Sequence, residues 1–279
     1  MTKVALFQAT SGIDPAANGD ALVAAVEAAA AGGAEMLFTP EMSGLLDRDR
    51  ARMAGNVALE REDRVLARVR EAAAKAGMWV HLGSLAVIAE VGAEGDKLAN
   101  RGFVIDGAGE IRARYDKIHL FDVDLPSGES WRESASYAPG TKTVIVRETP
   151  VGALGLTICY DLRFPALFAA LAEGGAEVIA VPSAFTVPTG IAHWHLLLRA
   201  RAVEAGLFVV AAAQGGIHED GRATYGHSLV VGPWGEVLLD MEGKHGTVGM
   251  VDLDLARIAE VRSRVPALLH RRQIGAVSE

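Results

Sequence analysis

The stretch Gly32-Gly33-Ala34-Glu35-Met36-Leu37-Phe38-Thr39-Pro40 returns in outline as Gly174-Gly175-Ala176-Glu177-Val178-Ile179-Ala180-Val181-Pro182. Each copy joins a glycine helix stop to a short, mostly apolar run that a proline cuts off. A run this short reads as a buried strand rather than a helix. An alanine-rich segment, residues 21–31, precedes the first copy, with Leu22, Val26 and Ala29 or Ala30 on one helical face. Residues 167–174 read as the helix before the second. Two strand–helix–strand units of one kind point to two sheets with helices outside them, packed as one α/β domain. Gly-Gly suits any helix-to-strand connection, so one short match by itself leaves chance open.

Working outward, strands are expected over residues 3–10, 36–39, 78–89, 100–106, 110–118, 144–147, 153–159, 178–181, 208–213, 228–232, 236–240 and 247–253. Helices are expected over 61–76, 192–205 and 255–261. Residues 119–140 read as a long polar loop, and such loops are often functional. The domain is read as residues 1–265. Residues 266–279 form a tail, read as a surface arm or a contact with a second copy. Half of the 279 residues are hydrophobic and 22% are charged, which excludes a disordered chain. The net charge of −8 argues against a nucleic-acid partner. No apolar run reaches the ~20 residues that cross a bilayer, so no membrane partner is expected. The N-terminus lacks the pattern of a signal peptide, and a cytoplasmic location is the expectation. With one cysteine the chain forms no internal disulfide and no Cys-rich zinc site.

That cysteine, Cys159, ends the run Ala153-Leu154-Gly155-Leu156-Thr157-Ile158 and precedes a helix. The positive end of a helix lowers a thiol pKa, which would favour the thiolate; a buried structural cysteine is the plain alternative. A thiol nucleophile needs a base and an oxyanion partner. Glu41 lies past the end of residues 36–39, where partial desolvation is expected to raise its pKa toward a useful value. Lys117 ends a strand at Tyr115-Asp116-Lys117-Ile118-His119, where an ammonium can hold developing negative charge. Alone, Glu41 is a solvated loop residue and Lys117 a partner of Asp116 or Asp122.

Together, Phe38-Thr39-Pro40-Glu41-Met42, residues 115–122 (Tyr-Asp-Lys-Ile-His-Leu-Phe-Asp) and residues 157–165 (Thr-Ile-Cys-Tyr-Asp-Leu-Arg-Phe-Pro) resemble the three signature regions of the nitrilase, or carbon–nitrogen hydrolase, superfamily. The chain is most similar to its Nit-type amidase branch, and the likeness runs from Val4 to about Leu255. It implies a four-layer α-β-β-α sandwich and a catalytic set of Glu41, Lys117 and Cys159. It implies a second, assisting glutamate in the loop after the lysine, assigned to Glu133 with Glu129 as the fallback. Glu133 paired with Arg132 or Lys117 is the structural alternative. Tyr160 offers a backbone N–H to the oxyanion. Arg163 is suited to clamp a substrate carboxylate, unless Asp161 holds it. Phe185 and Thr186 are expected to line the pocket.

The implied reaction is hydrolysis of a small carboxylate-bearing amide through a Cys159 thioester with release of ammonia, needing no cofactor and no metal. Deaminated glutathione is the first substrate expected, an α-keto acid ω-amide the second, and a nitrile less so. A homodimer or higher homo-oligomer is implied. Two other readings stay open: a silent binding protein on this fold, and a Cys–His hydrolase using His119 or His227. His193 and His195, two apart on a helix, face different ways and lack an evident set of carboxylates around them, which argues against zinc there.

Overall fold

A computed structural model describes residues 1–88, 97–124, 128 and 130–275. The first half of the chain builds one sheet from β1 (Thr2–Gln8), β2 (Met36–Phe38), β3 (Ala58–Leu59), β4 (Trp79–Ile88), β5 (Leu98–Ile105) and β6 (Ile111–Asp116). A ribbon follows, β7 (Asp122–Asp124) against β8 (Ser130–Arg132). The second half supplies β9 (Ile145–Thr149), β10 (Gly152–Leu156), β11 (Val178–Ala180) and β12 (Phe208–Ala211). After a second ribbon of β13 (Gly215–Ile217) and β14 (Ala223–Tyr225) come β15 (Leu229–Val231) and β16 (Val237–Asp240). Finally β17 (Thr247–Leu253) returns to the first sheet beside β1. The strand orders are β17-β1-β2-β4-β5-β6, with β3 on β4, and β16-β15-β12-β11-β10-β9.

The two copies of the Gly-Gly stretch become β2 and β11. Each lies between two parallel neighbours, β1 and β4 in one sheet, β10 and β12 in the other. Alternation of side chains along a strand sorts the core. Val4, Leu6, Met36 and Phe38 join the cluster shared with the second sheet. Ala5, Phe7 and Leu37 point the other way, toward the helices. Those helices are α1 (Pro15–Ala31) and α3 (Arg64–Ala76), with the one-turn α2 (Arg50–Ala54) between them in sequence. On the far side α4 (Pro165–Glu173) and α5 (Val187–Ala205) cover the second sheet, and α6 (Ala256–Arg264) follows β17. The result is the expected α-β-β-α sandwich.

Some boundaries differ from the sequence reading for identifiable reasons. Helix α1 starts at Pro15, six residues before the alanine-rich run, because Asp14 caps it and Pro15 opens its first turn. Asn18 and Gly19 look like helix breakers. Yet the Asn18 side chain bonds Gly12 and Gly44, and a Cβ at Gly19 would press on Arg68. Helix α5 starts at Val187, again with proline in its first turn. The long loop at 119–140 carries the β7–β8 ribbon. β10 ends at Leu156, so Cys159 opens a separate 3-10 turn, Cys159–Arg163.

The feature that positions the site is where these strands stop. β2, β6, β10 and β11 are followed within a few residues by Glu41, Lys117, Cys159 and Ala184. At this edge the two sheets come very close. A side chain at Gly83 would collide with the carbonyl oxygens of Thr39 and Pro40 and with the Pro182 ring, so only glycine fits.

Candidate active site

Glu41, Lys117 and Cys159 are all buried, 4%, 2% and 7% exposed. The Lys117 ammonium donates to Glu41 Oε1 at 2.8 Å and to both Glu133 oxygens at 3.1 and 2.8 Å. Asn100, on β5, donates to the same two carboxylates at 3.0 and 3.1 Å. The second oxygen of Glu41 accepts the Ala184 N–H at 3.0 Å, and Glu133 accepts the Phe121 N–H at 2.7 Å. Cys159 and Ala184 belong to the second sheet and the other groups to the first half of the chain, so the constellation is assembled across the sheet interface. Glu129 lies outside the described residues.

Two electrostatic expectations are corrected. The Cys159 thiol is pushed well above its ordinary value, not below it: burial dominates, and the Glu41 carboxylate adds to it more than Lys117 subtracts. The helix whose field was invoked begins only at Pro165, and the 3-10 turn intervenes. Glu41 moves the opposite way from the expectation. Burial pushes its carboxyl up, but the Lys117 ammonium and hydrogen bonds from Lys117, Cys159 and Asn100 outweigh that and hold it below the ordinary range. Lys117 is deeply desolvated, yet Glu133, Glu41 and Cys159 together hold it well above an ordinary lysine. These directions favour a protonated thiol and an ionised carboxylate in the resting site, beside a fixed ammonium. Asp116 does not compete for Lys117, because it takes a bidentate contact from Arg101.

Cys159 has φ +51°, in the left-handed region that non-glycine residues rarely occupy. Its N–H is bound to Pro182 O at 2.9 Å. Asp161, fully buried two residues on, anchors the turn. It accepts from the Ile158 N–H, the Tyr115 hydroxyl and the His119 N–H, and its Oδ1 contacts His119 Nδ1 at 2.7 Å. Asp161 is thus committed elsewhere and does not hold Arg163. The same contact, with stacking on Phe164 at 3.6 Å, ties His119 down as a structural residue. His227 is bound to Asp240 and does not line the cavity. Neither histidine is a base for the thiol here.

A cavity of about 430 Å³ opens above the sulfur. Tyr160, Arg163, Phe185 and Thr186 all line it, as do Glu41, Lys117, Glu133 and Cys159. Arg163 rests on aromatic faces, 6.0 Å from the Tyr160 centroid and 5.5 Å from Phe185, and both its terminal nitrogens lie 3.3 Å from His193 Nδ1. Among the described residues no carboxylate is within ion-pair reach of it. Six lysines and arginines line the cavity against three carboxylates, a cationic lining inside a chain of net charge −8.

The sequence reading missed Asn100, Ala184 and Asp161 as parts of the site. Asn100 had a signal, a polar residue inside an apolar strand; the other two act through backbone or through a turn and had none. It also judged the histidines to lack carboxylates. Helix α5 does turn His193 and His195 apart, but Asp240 lies 2.9 Å from His195 Nε2 and 3.0 Å from His227 Nδ1. These three could share a cation, with donor atoms all within 4.8 Å of one another. They stand away from the cavity, and Asp240 already hydrogen-bonds to one nitrogen of each ring.

The carbon-nitrogen hydrolase family model matches residues 3–263. A Yersinia enterocolitica protein, deaminated glutathione amidase, is 39% identical over 88% of this chain and 84% of its own. The crystal structure of the Caenorhabditis elegans NitFhit protein superposes with a TM-score of 0.87 at 36% identity, covering 97% of this chain and 65% of that longer one. Saccharomyces cerevisiae Nit3, a member of branch 10 of the nitrilase superfamily, gives 0.83 at 28% identity, covering 95% and 94%. With both sheets, the three strand-end groups and these likenesses in agreement, the chain belongs to the carbon–nitrogen hydrolase family, the nitrilase superfamily, on its Nit-type side.

Proposed function

We propose that the protein cleaves a small carboxylate-bearing amide through a thioester on Cys159. Deaminated glutathione is the first candidate and an α-keto acid ω-amide the second. The observation that carries the chemistry is the buried Cys159 lining one cavity with the buried Glu41, whose carboxylate the Lys117 ammonium meets at 2.8 Å. Glu41 takes the thiol proton as sulfur attacks the amide carbon. The carbonyl electrons move to oxygen, which the Lys117 ammonium and the backbone N–H of Tyr160 stabilise in a water-poor setting. Collapse breaks the C–N bond, and the proton on Glu41 goes to the departing nitrogen. Water then attacks the thioester, giving its proton to Glu41. The C–S bond breaks, the thiol is restored and the acid leaves. Glu133 positions Lys117. The amine released is ammonia from a primary amide and the remaining dipeptide from a glutathione skeleton.

Support for the substrate class comes from Arg163, whose guanidinium matches a carboxylate bidentately, and from the name of the Yersinia relative. A cytoplasmic setting suits a lone free thiol. A homodimer is favoured by Leu196 and Val203, both exposed on α5, with exposed Trp234 beside Val203; light scattering tests it. Among the described residues no helix is long and apolar enough to cross a membrane.

The decisive experiment pairs Cys159→Ala with mass spectrometry of the wild type quenched during turnover. The expected results are loss of hydrolysis to the assay floor and an acyl mass on the peptide containing Cys159. Continued hydrolysis by the alanine variant would overturn the thioester route.

A further inference from the structure

Away from the cavity, three metal-ligating side chains converge from separate parts of the second half of the chain. His195 comes from α5, His227 from the connection between β14 and β15, and Asp240 from the end of β16. Asp240 Oδ2 lies 2.9 Å from His195 Nε2 and 3.3 Å from His227 Nδ1. Its other oxygen accepts the Glu242 N–H at 2.8 Å, so backbone sets the direction of the carboxylate. The His227 backbone is gripped on both sides. Its N–H donates to Glu242 O at 2.9 Å, and its carbonyl accepts the Trp194 indole N–H at 2.8 Å. The Tyr225 ring stacks on His227 at 4.3 Å and meets His195 edge-on at 6.2 Å. The side chains of His195, His227 and Asp240 are 34%, 24% and 27% exposed, which leaves an ion a way in and room for water on its open side.

We infer that His195 Nε2, His227 Nδ1 and Asp240 Oδ2 bind one divalent ion of the zinc type, which staples α5 to β16. Two imidazoles and a carboxylate are a donor set that suits zinc, whereas magnesium and calcium take oxygen ligands. At metal–ligand bonds of ~2.0–2.1 Å, tetrahedral donors stand ~3.3 Å apart. Oδ2 already stands close to that distance from both nitrogens. The two nitrogens lie within 4.8 Å of each other and need to draw together by about 1.5 Å at most, which a small turn of the partly exposed His195 ring supplies. The ion replaces the two hydrogen bonds to Oδ2 instead of adding to them. Each neutral ring moves its N–H to the far nitrogen, and no proton is released. The Glu242 N–H stays on Oδ1 as the outer partner that orients a ligating carboxylate. Water takes the remaining position. None of the three residues lines the cavity, and the ion takes no part in amide cleavage, so this inference stands or falls apart from the function proposed above.

The test uses full-length protein without a polyhistidine tag, stripped with EDTA and dialysed, then titrated with ZnCl2 by calorimetry. One equivalent should bind saturably. Tm should rise by about 5 °C at a hundredfold excess of zinc over its Kd. His195→Gln, His227→Asn and Asp240→Asn should each weaken Kd at least about ten- to hundredfold; asparagine is chosen at 227 because φ there is +54°. His270→Gln, an exposed histidine on the tail, should leave Kd unchanged. X-ray absorption of the zinc-loaded wild type should show imidazole and oxygen ligands without sulfur, and it needs no variant to fold. Absence of saturable binding would overturn the site. So would sulfur in the coordination sphere, which would place the ion on Cys159, or a wild-type Kd in any of the three ligand variants.

Discussion

Two of the cations that line the cavity with Cys159 differ in kind. Lys117 is 2% exposed, and its ammonium is spent on two carboxylates. Arg163 is half-buried on a turn, touches a histidine ring and two aromatic faces, and meets no carboxylate among the described residues. A charge fully enclosed by its own protein is fixed before the substrate arrives and can act on the reacting oxygen without reorganising. A charge left open pays for its desolvation only when a ligand supplies the partner. The first cation belongs to the chemistry, the second to selection.

The sharpest way to break this contrast is Lys117→Met. It leaves the buried Glu41 beside the part-buried Glu133 with only Asn100 between them. Removing one partner of a buried ion pair costs about 3–5 kcal/mol, so a clear loss of stability in urea unfolding is expected. Turnover should fall by at least roughly a hundred- to a thousandfold. A variant of wild-type stability and measurable kcat would contradict the role assigned to Lys117. Glu41→Gln comes next. The amide keeps the shape but cannot take the thiol proton, so kcat should drop by about 10²–10⁴. Alkylation of Cys159 should slow in parallel; unchanged alkylation would separate Glu41 from activation of the sulfur.

Arg163→Lys should be milder and selective. Charge is kept and the planar fork lost, so kcat/KM on carboxylated amides should fall roughly ten- to hundredfold, with neutral amides of similar size little changed. Equal losses on both would make Arg163 structural and close the contrast with Lys117.

The smallest effect expected is that of pH. Glu41 sits below its ordinary 4.5, Cys159 above 9.0 and Lys117 above 10.5. The depressed carboxylate contributes stability above 4.5 and loses it as pH falls through its lower folded value. The raised ammonium contributes below 10.5 and loses it as pH rises through its higher folded value. Between 4.5 and 9.0 none of the three changes charge, so kcat/KM should be level there. A bell centred near neutrality would show that one of these groups titrates where its neighbours are expected to prevent it.

Much of this was legible in the chain itself. Short apolar runs that follow a Gly-Gly helix stop and end at a proline mark β2 and β11 and place Glu41 past a strand end, because strand burial is a local pattern. What failed was what depends on partners far along the chain. The direction of the Glu41 shift is decided by Lys117 and Asn100, and that of Cys159 by its burial and by Glu41, and no spacing encodes those neighbours. Asp161 looked like a partner for Arg163 at two residues' distance, yet Tyr115 and His119 had already claimed it. Helix α1 runs beyond its local pattern because Asn18 and Gly19 violate propensity for reasons that lie in Gly44 and Arg68.

Glu41 has a further consequence through its position at the seam. Its Oε2 is bound by Ala184 N–H and its own carbonyl by the Gln214 amide at 3.0 Å, so the base is also a stitch between the two sheets. An excursion that parts the sheets undoes base and nucleophile in one stroke. The thiol is then merely a cysteine, unpaired with any carboxylate. During synthesis the same holds in reverse: the nascent chain carries no armed sulfur until its second half has closed on the first.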